Sequence, residues 1–311
     1  MTSAPKTVVI TGGSGFVGTY LQQELTSAWP GVRVVSWDLP EVDITDPNTY
    51  EAQLKELAPD WVVHLAAIAS VPAALKNPVQ TEAVNVGGTK KLIETIQRSS
   101  QDTKMLFVST ADVYGMAVAA RTGEPVPELA LDECEPANPY AQSKLAAEEV
   151  VLGLMPKAAI RVRPFPHIGP GQGLGFVTSD FASQIAAIEA GNQEPRIAVG
   201  NLEAQRDFTD VRDVVRAYRM LMETGEAGEV YHVASGKPVA IKDVLDALLE
   251  MAKVEIEVVQ DESRMRPSDV PVLVGSAAKL QGVSSWQPEI LLQKSLSDIL
   301  DWWRQQESPS A

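Results

Sequence analysis

The sequence predicts an α/β protein, a doubly wound parallel sheet followed by a smaller C-terminal α/β domain. Three observations predict it. Apolar, β-branched runs alternate with stretches of helical spacing through the first half of the chain, the pattern of a parallel sheet covered on both faces. The first run, TVVITGG, ends in glycines directly before a helical stretch. After about residue 166 this rhythm gives way to a Gly/Pro-rich loop and shorter elements.

In chain order, strands are expected at 7–13, 33–38, 61–67, 104–110 and 159–165, with helices at 15–28, 47–57, 81–99 and 139–153 between them. Residues 178–190 read as a helix, 206–225 as a loop then a helix, and 230–235 as a further strand of the main sheet. Segments 241–252, 254–259 and 293–305 form a smaller α/β assembly. The first domain therefore spans 1–165 and the second 166–311, with 206–235 returning to the first because no clean linker separates them.

Composition narrows the function. The 311 residues carry a net charge of −15, which repels nucleic acid and anionic membranes, so an anionic ligand needs its own local cations. No apolar run reaches the ~20 residues of a membrane span, and no signal peptide is visible ahead of the first strand. Cys134 is the only cysteine, which excludes an internal disulfide and a multi-cysteine zinc cluster and fits a reducing cytoplasm. No His/Asp/Glu cluster has metal spacing, so no metal is expected.

Gly12, Gly15 and Gly18 stand between strand and helix in TGGSGFVG. Such a turn lets backbone approach a pyrophosphate at the positive end of a helix, the Rossmann-like arrangement. Asp38 ends the second strand, where an acid accepts from adenosine ribose hydroxyls and repels a 2′-phosphate. NAD is favoured over NADP, with NADP possible. Asp43 is the next acid in line for the adenine edge, and helix capping reads it equally well.

In NPYAQSK, Tyr140 and Lys144 share one helix face. A nearby ammonium is expected to pull the phenol toward working pH and make Tyr140 a general acid or base. Thr110, in VSTADVYG, ends the fourth strand, where open α/β sheets bind ligands. His64 lies in an apolar strand and reads as a packed, hydrogen-bonded core residue.

TGGSGFVG, Asp38, HLAA (64–67), Asn85 in NVGGT, STADVYG and YAQSK together resemble the extended short-chain dehydrogenase/reductase family over nearly the whole chain. The resemblance implies that Thr110 and Tyr140 polarise and protonate a carbonyl and that Lys144 holds the nicotinamide ribose. It implies further cofactor contacts from Phe16 and Val17, from Ile44, and from Leu65, Ala66 and Ala67, with Asn85 supporting the site. Helices 81–99 and 139–153 would form a homodimer interface.

RPFPHIGPGQGLGFVTSDFASQIA, VGNLEAQRDFTDVRDVVRAY and RMRPSDVPVLVG are similar to the reductases that turn GDP-4-keto-6-deoxy-D-mannose into GDP-D-rhamnose. That likeness implies a GDP-linked sugar held by Asp112, Pro166, His167 and Val177, with Arg206 and Arg266 as the cations for its diphosphate. Two departures stand out. Relatives that dehydrate nucleotide sugars tend to carry Asp-Glu after the threonine, and this chain has Ala111-Asp112, which favours plain reduction. Pro166 stands where the reductase pattern has Asn, and it offers neither a side-chain donor nor an N–H. The alternatives are a nucleotide-sugar 4-epimerase that retains its NAD and, in another class, a non-catalytic NAD-binding sensor.

Overall fold

The structure, a computed structural model, describes residues 4–119, 123–261 and 270–307. Five strands of the first half are β1 (Thr7–Thr11), β2 (Arg33–Trp37), β3 (Trp61–His64), β4 (Lys104–Val108) and β5 (Ala159–Pro164). Each stops one to three residues before the apolar run that predicts it. The leftover residues, among them Gly12, Asp38, Leu65 to Ala67 and Thr110, lie past the paired ladder and form the upper rim of the sheet.

The helices of this half are α1 (Phe16–Ala28), α2 (Glu51–Leu57), α3 (Val71–Lys76), α4 (Pro78–Glu82), α5 (Thr89–Ser99) and α6 (Pro139–Leu154). The helix expected at 81–99 is interrupted by a π turn over Ala83–Gly88 between α4 and α5. The one expected at 47–57 begins as a 3₁₀ turn, Pro47–Thr49, and becomes α-helical only after Tyr50.

The second half supplies the short strands β6 (His167–Ile168), β7 (Arg196–Val199), β8 (Gln205–Asp207) and β9 (Thr209–Asp210), and β10 (Val230–Val233), which pairs parallel to β5. Helix α7 (Val177–Glu189) precedes β7, and α8 (Val211–Thr224) precedes β10. The stretch expected as a loop from 206 therefore contains two of these strands. Then follow β11 (Pro238–Ala240), α9 (Ile241–Glu250), β12 (Glu257–Gln260), β13 (Val272–Leu273), α10 (Ala278–Val283) and α11 (Leu292–Glu307).

The large sheet runs β10-β5-β4-β3-β1-β2, all parallel. Alternation along β1 divides the core: Val8 and Ile10 pack with α1, α8 and β10, while Val9 packs with α2, α5 and α6. Every residue of β3, β5 and β10 is buried, as a sheet covered on both faces requires. A separate core joins α7, α9 and α11 around Ile185, Leu245, Leu248 and Leu300. Between the two, Tyr114, Phe165 and Ala234 form a small cluster under the loop that follows β5. The chain changes direction between β1 and β3, so the carboxyl ends of those strands open a crevice suited to a ligand.

Candidate active site

The crevice begins at the turn after β1. Gly12 has φ +72°, and a Cβ there would stand 2.9 Å from Ala66 N. A Cβ on Gly18 would stand 2.5 Å from Gly12 O. Gly15 caps α1 with extended backbone, and Phe16 and Val17 open the helix. The turn therefore brings N–H groups forward with no side chain over them, which fits a dinucleotide pyrophosphate.

Asp38 Oδ2 accepts from Ser14 N at 2.9 Å and Ser36 Oγ at 2.6 Å, so the carboxylate lies against the glycine turn. Asp43 turns inward on its own loop: Oδ1 accepts from Thr45 N and Thr45 Oγ1 at 2.8 and 2.7 Å. Those bonds hold its carboxyl below the ordinary value. Asp43 thus closes a local turn and caps no helix; the 3₁₀ turn at Pro47–Thr49 is capped by Asp46, whose carboxylate accepts from Asn48 N at 3.1 Å. Ile44 is buried and packs beside Gly88.

Leu65 N donates to Thr11 O at 3.1 Å and Ala66 N to Thr11 Oγ1 at 3.2 Å, which leads the 65–67 backbone past the end of β3. Thr11 Oγ1 is 2.6 Å from His64 Nδ1, and His64 Nε2 is 3.0 Å from Thr89 Oγ1, which donates to Asn85 O at 2.6 Å. With the Thr89 proton committed to Asn85, Thr89 accepts from His64 Nε2–H, and Nδ1 accepts from Thr11. His64 is 1% exposed, and burial with the Lys144 charge pushes it down to about 3. It is a neutral, hydrogen-bonded core residue.

Asn85 stands in the π turn, a feature that often marks functional sites. Its Oδ1 accepts from Ile68 N at 2.8 Å, and its Nδ2 donates to Ile68 O at 3.1 Å and Ser143 Oγ at 2.9 Å. Ser143 Oγ donates to Tyr140 O at 2.7 Å. The rim of β3 is thereby tied to the first turn of α6. That helix starts where it does because Asn138 accepts from Ala141 N at 3.0 Å and Pro139 occupies the first turn.

The Tyr140 phenol lies near the Thr110 hydroxyl and close enough to Asp112 to feel its charge. The phenol does not move downward as expected. Burial pushes it above its ordinary value, Asp112 adds to that, and the Thr110 hydroxyl opposes it. Lys144 is 4% exposed. Among the described residues its Nζ finds no hydrogen-bond acceptor, and it lies 4.5 Å from the Phe107 ring centroid. Burial pushes the ammonium down to about 8, while Glu148 holds it up. A buried ammonium with unused donors fits the hydroxyls of a ribose. Asp112 is pushed up by burial, with the Arg206 guanidinium opposing, so these two groups are also neighbours.

The loop after β5 packs on α1. His167 lies parallel to Phe16, with centroids 6.2 Å apart and 3° between planes, and Tyr20 Oη donates to Pro170 O at 2.9 Å. His167 Nδ1 lies 3.2 Å from Phe165 O, so it carries the proton and leaves Nε2 as an acceptor. Pro166 O accepts from Thr209 N at 3.0 Å. Val177 opens α7. Arg206 Nη1 donates to Gln205 O and Val270 O at 2.7 and 3.0 Å. Arg266 lies outside the described residues. One group escaped the sequence reading: Glu148, two turns beyond Tyr140 on α6, paired with Arg161 and Arg163. An acid recurring at i+4 on the face of Tyr140 and Lys144 was the available signal.

Comparison with known proteins decides the family. The GDP-mannose 4,6-dehydratase family model matches residues 9–299. The chain belongs to the GDP-mannose 4,6-dehydratase family. Within it, the chain is 40% identical over 301 residues to a GDP-6-deoxy-D-mannose reductase of Pseudomonas aeruginosa, covering 94% of this chain and 96% of that protein. It is 29% identical to a GDP-6-deoxy-D-talose 4-dehydrogenase of Aggregatibacter actinomycetemcomitans, over 89% of this chain and 90% of that one. The solved structure of RMD from Pseudomonas aeruginosa complexed with NADPH superposes with a TM-score of 0.86 at 38% identity, covering 97% of this chain and 99% of that one. This member of the family is accordingly a Rossmann-like, NAD(P)-dependent oxidoreductase.

The Lys144 ammonium supplies a pH test. Its value is depressed to about 8, so it is charged below that pH and neutral above it. The affinity of the free enzyme for NADH should be level at lower pH and weaken as pH rises through about 8, read by nucleotide fluorescence titration. Affinity that stays constant across this range would remove Lys144 from the ribose.

Proposed function

We propose that the protein reduces the C4 ketone of a GDP-linked 4-keto-6-deoxy sugar, GDP-4-keto-6-deoxy-D-mannose, to GDP-D-rhamnose. The observation that carries this reading is Tyr140, beside Thr110 at the end of β4 and one turn from the buried Lys144. The likeness to a reductase of a GDP-6-deoxy sugar over almost the whole chain supports the substrate class.

NAD(P)H bound at the glycine turn supplies the hydride. Tyr140 gives its proton to the C4 oxygen; a phenol carries that proton at neutral pH, the state a reductive acid needs. Thr110 orients the same oxygen. Lys144 holds the ribose and balances the phenolate left after transfer. Ala111 is apolar where dehydrating relatives carry an acid, which favours reduction without loss of water. Arg206 and His167 Nε2 are the groups on the substrate side, one cationic and one an acceptor. The reading includes a homodimer through α5 and α6 and a reducing cytoplasm, which the single Cys134 fits.

Replacing Tyr140 with Phe should leave NADH binding intact and lower turnover by roughly 10²-fold or more. A Tyr140→Phe enzyme that consumes NADH with the keto sugar at the wild-type rate would refute the mechanism. Stoichiometric NADH consumption by wild type separates the reductase from a cofactor-retaining epimerase.

Asp38 beside the glycine turn should make NADH the better reductant by kcat/KM. Asp38→Ala should narrow the gap to NADPH, because both the ribose acceptor and the repulsion are lost. The relative solved with NADPH makes this comparison decisive: a wild-type preference for NADPH overturns the role given to Asp38.

Position 166 tests the sugar. Its carbonyl bond to Thr209 N survives Pro166→Asn, while the new amide adds one contact worth about 0.5–1.5 kcal/mol. The variant should gain a few-fold to ~10-fold in kcat/KM for the GDP-linked ketone, and not for dTDP- or UDP-linked ketones. A loss confined to the GDP-linked ketone, with NADH affinity unchanged, would mean that the substrate is misnamed.

A further inference from the structure

Below the reacting groups, the face of α6 that carries Tyr140 and Lys144 continues to Glu148, whose side chain is 0% exposed. Its two oxygens accept from Arg163 Nε and Nη2, each at 2.9 Å, and from Arg161 Nη1 at 3.3 Å. Both arginines come from β5, and Arg163 is itself fully buried. Arg163 Nη1 also donates to Tyr114 Oη at 3.0 Å and Leu129 O at 2.8 Å, and its guanidinium lies 5.0 Å from the centre of the Tyr114 ring. Tyr114 Oη in turn meets His232 Nε2, and His232 Nδ1 lies 3.2 Å from Ser276 O. The directions are therefore fixed: His232 donates to Ser276, Tyr114 to His232, and Arg163 to Tyr114.

Tyr114 closes the 3₁₀ turn that Thr110 caps and that contains Asp112. One guanidinium thus holds the helix of Tyr140 and Lys144 on one side and the turn of Thr110 and Asp112 on the other. An ordinary fold has no need of such an arrangement, since an isosteric apolar filling is often as stable as a buried ion pair. We propose that Glu148 is a positioning residue of the reaction: clamped to β5 by Arg163 and Arg161, its carboxylate seats α6 against the Thr110 turn and places a negative charge one turn from Lys144 on the same face.

Lys144 meets few other charges. From α6 it is faced by Tyr140 and Glu148, from β3 by the neutral His64, and from β4 by the Phe107 ring. Asp112 acts on Tyr140 from the Thr110 turn, and the β5 arginines engage Glu148. Glu148 alone among these holds the ammonium up against burial. Without that charge, Lys144 gives up its proton at lower pH.

The inference rests on the roles given above to Tyr140 and Lys144, and its test separates the two. NADH affinity is titrated against pH in wild type, Glu148→Gln and Glu148→Asp, with kcat measured at neutral pH. In Glu148→Gln the alkaline loss of affinity should move to lower pH. In Glu148→Asp, which keeps the charge but shortens its reach, the limb should stay in place while kcat falls several-fold with NADH affinity unchanged. A purely structural role would lower the yield of folded protein and leave the limb unmoved. Wild type without an alkaline limb overturns both the Lys144 reading and this one. A wild-type limb that is unmoved in folded Glu148→Gln overturns the role of Glu148 alone. Removing one partner of a buried pair is strongly destabilising. If Glu148→Gln does not fold, Glu148→Asp decides: wild-type kcat in that variant overturns the proposal.

Discussion

Three backbone segments meet at the rim of the sheet at separations that leave no room for a side chain. Gly12 lies against Ala66 N, and Gly18 against Gly12 O. Everything above the sheet depends on that approach. It lets α1 start immediately beneath the crevice and brings the 65–67 backbone alongside the glycine turn. Through Phe16 and Tyr20 it gives the loop after β5 a surface to rest on. An alanine methyl at either glycine would force backbone apart rather than displace a flexible side chain, and at Gly12 the positive φ adds a conformational constraint to the contact.

A second constraint is electrostatic. The chain carries a net charge of −15, yet two arginines of β5 are drawn into the interior by a single carboxylate. Desolvating these groups is expensive, and separating such a pair costs about 3–5 kcal/mol. The cluster therefore acts as a latch with one satisfactory arrangement. Slippage of α6 by a turn would strand a charge, so the spacing between Thr110 and Tyr140 is set as much by Arg163 as by the apolar packing of Ala147 and Val151.

Much of this was legible in the sequence because it is periodic or local. Strand runs, the glycine turn, the helix at 139–153 and the Tyr140–Lys144 pair all announce themselves within a few residues. What was not legible depends on pairs distant in the chain. Strand ends were read too long because apolar character continues past the last paired residue, where Leu65 to Ala67 line a crevice rather than a ladder. The π turn at Ala83–Gly88 has no periodic mark. It is recognisable only once Asn85 reaches Ile68 and Ser143. The upward shift of Tyr140 escaped because proximity to Lys144 is visible in spacing, whereas burial and the approach of Asp112 are not. Arg163 lies in the strand run read at 159–165, but its partner lies on a helix fifteen residues earlier, a pairing that no local pattern marks.

The bonds around His64 have a consequence for how the site behaves in acid. Each donor from Ala66 through Thr11, His64 and Thr89 to Asn85 is committed in one direction. Adding a proton to the imidazole would reverse the Thr11 link and place a second charge near Lys144, and burial sets that event at about pH 3. The chain of bonds is thus an insulator rather than a wire. It transmits position from the glycine turn to the first turn of α6 and carries no proton between them.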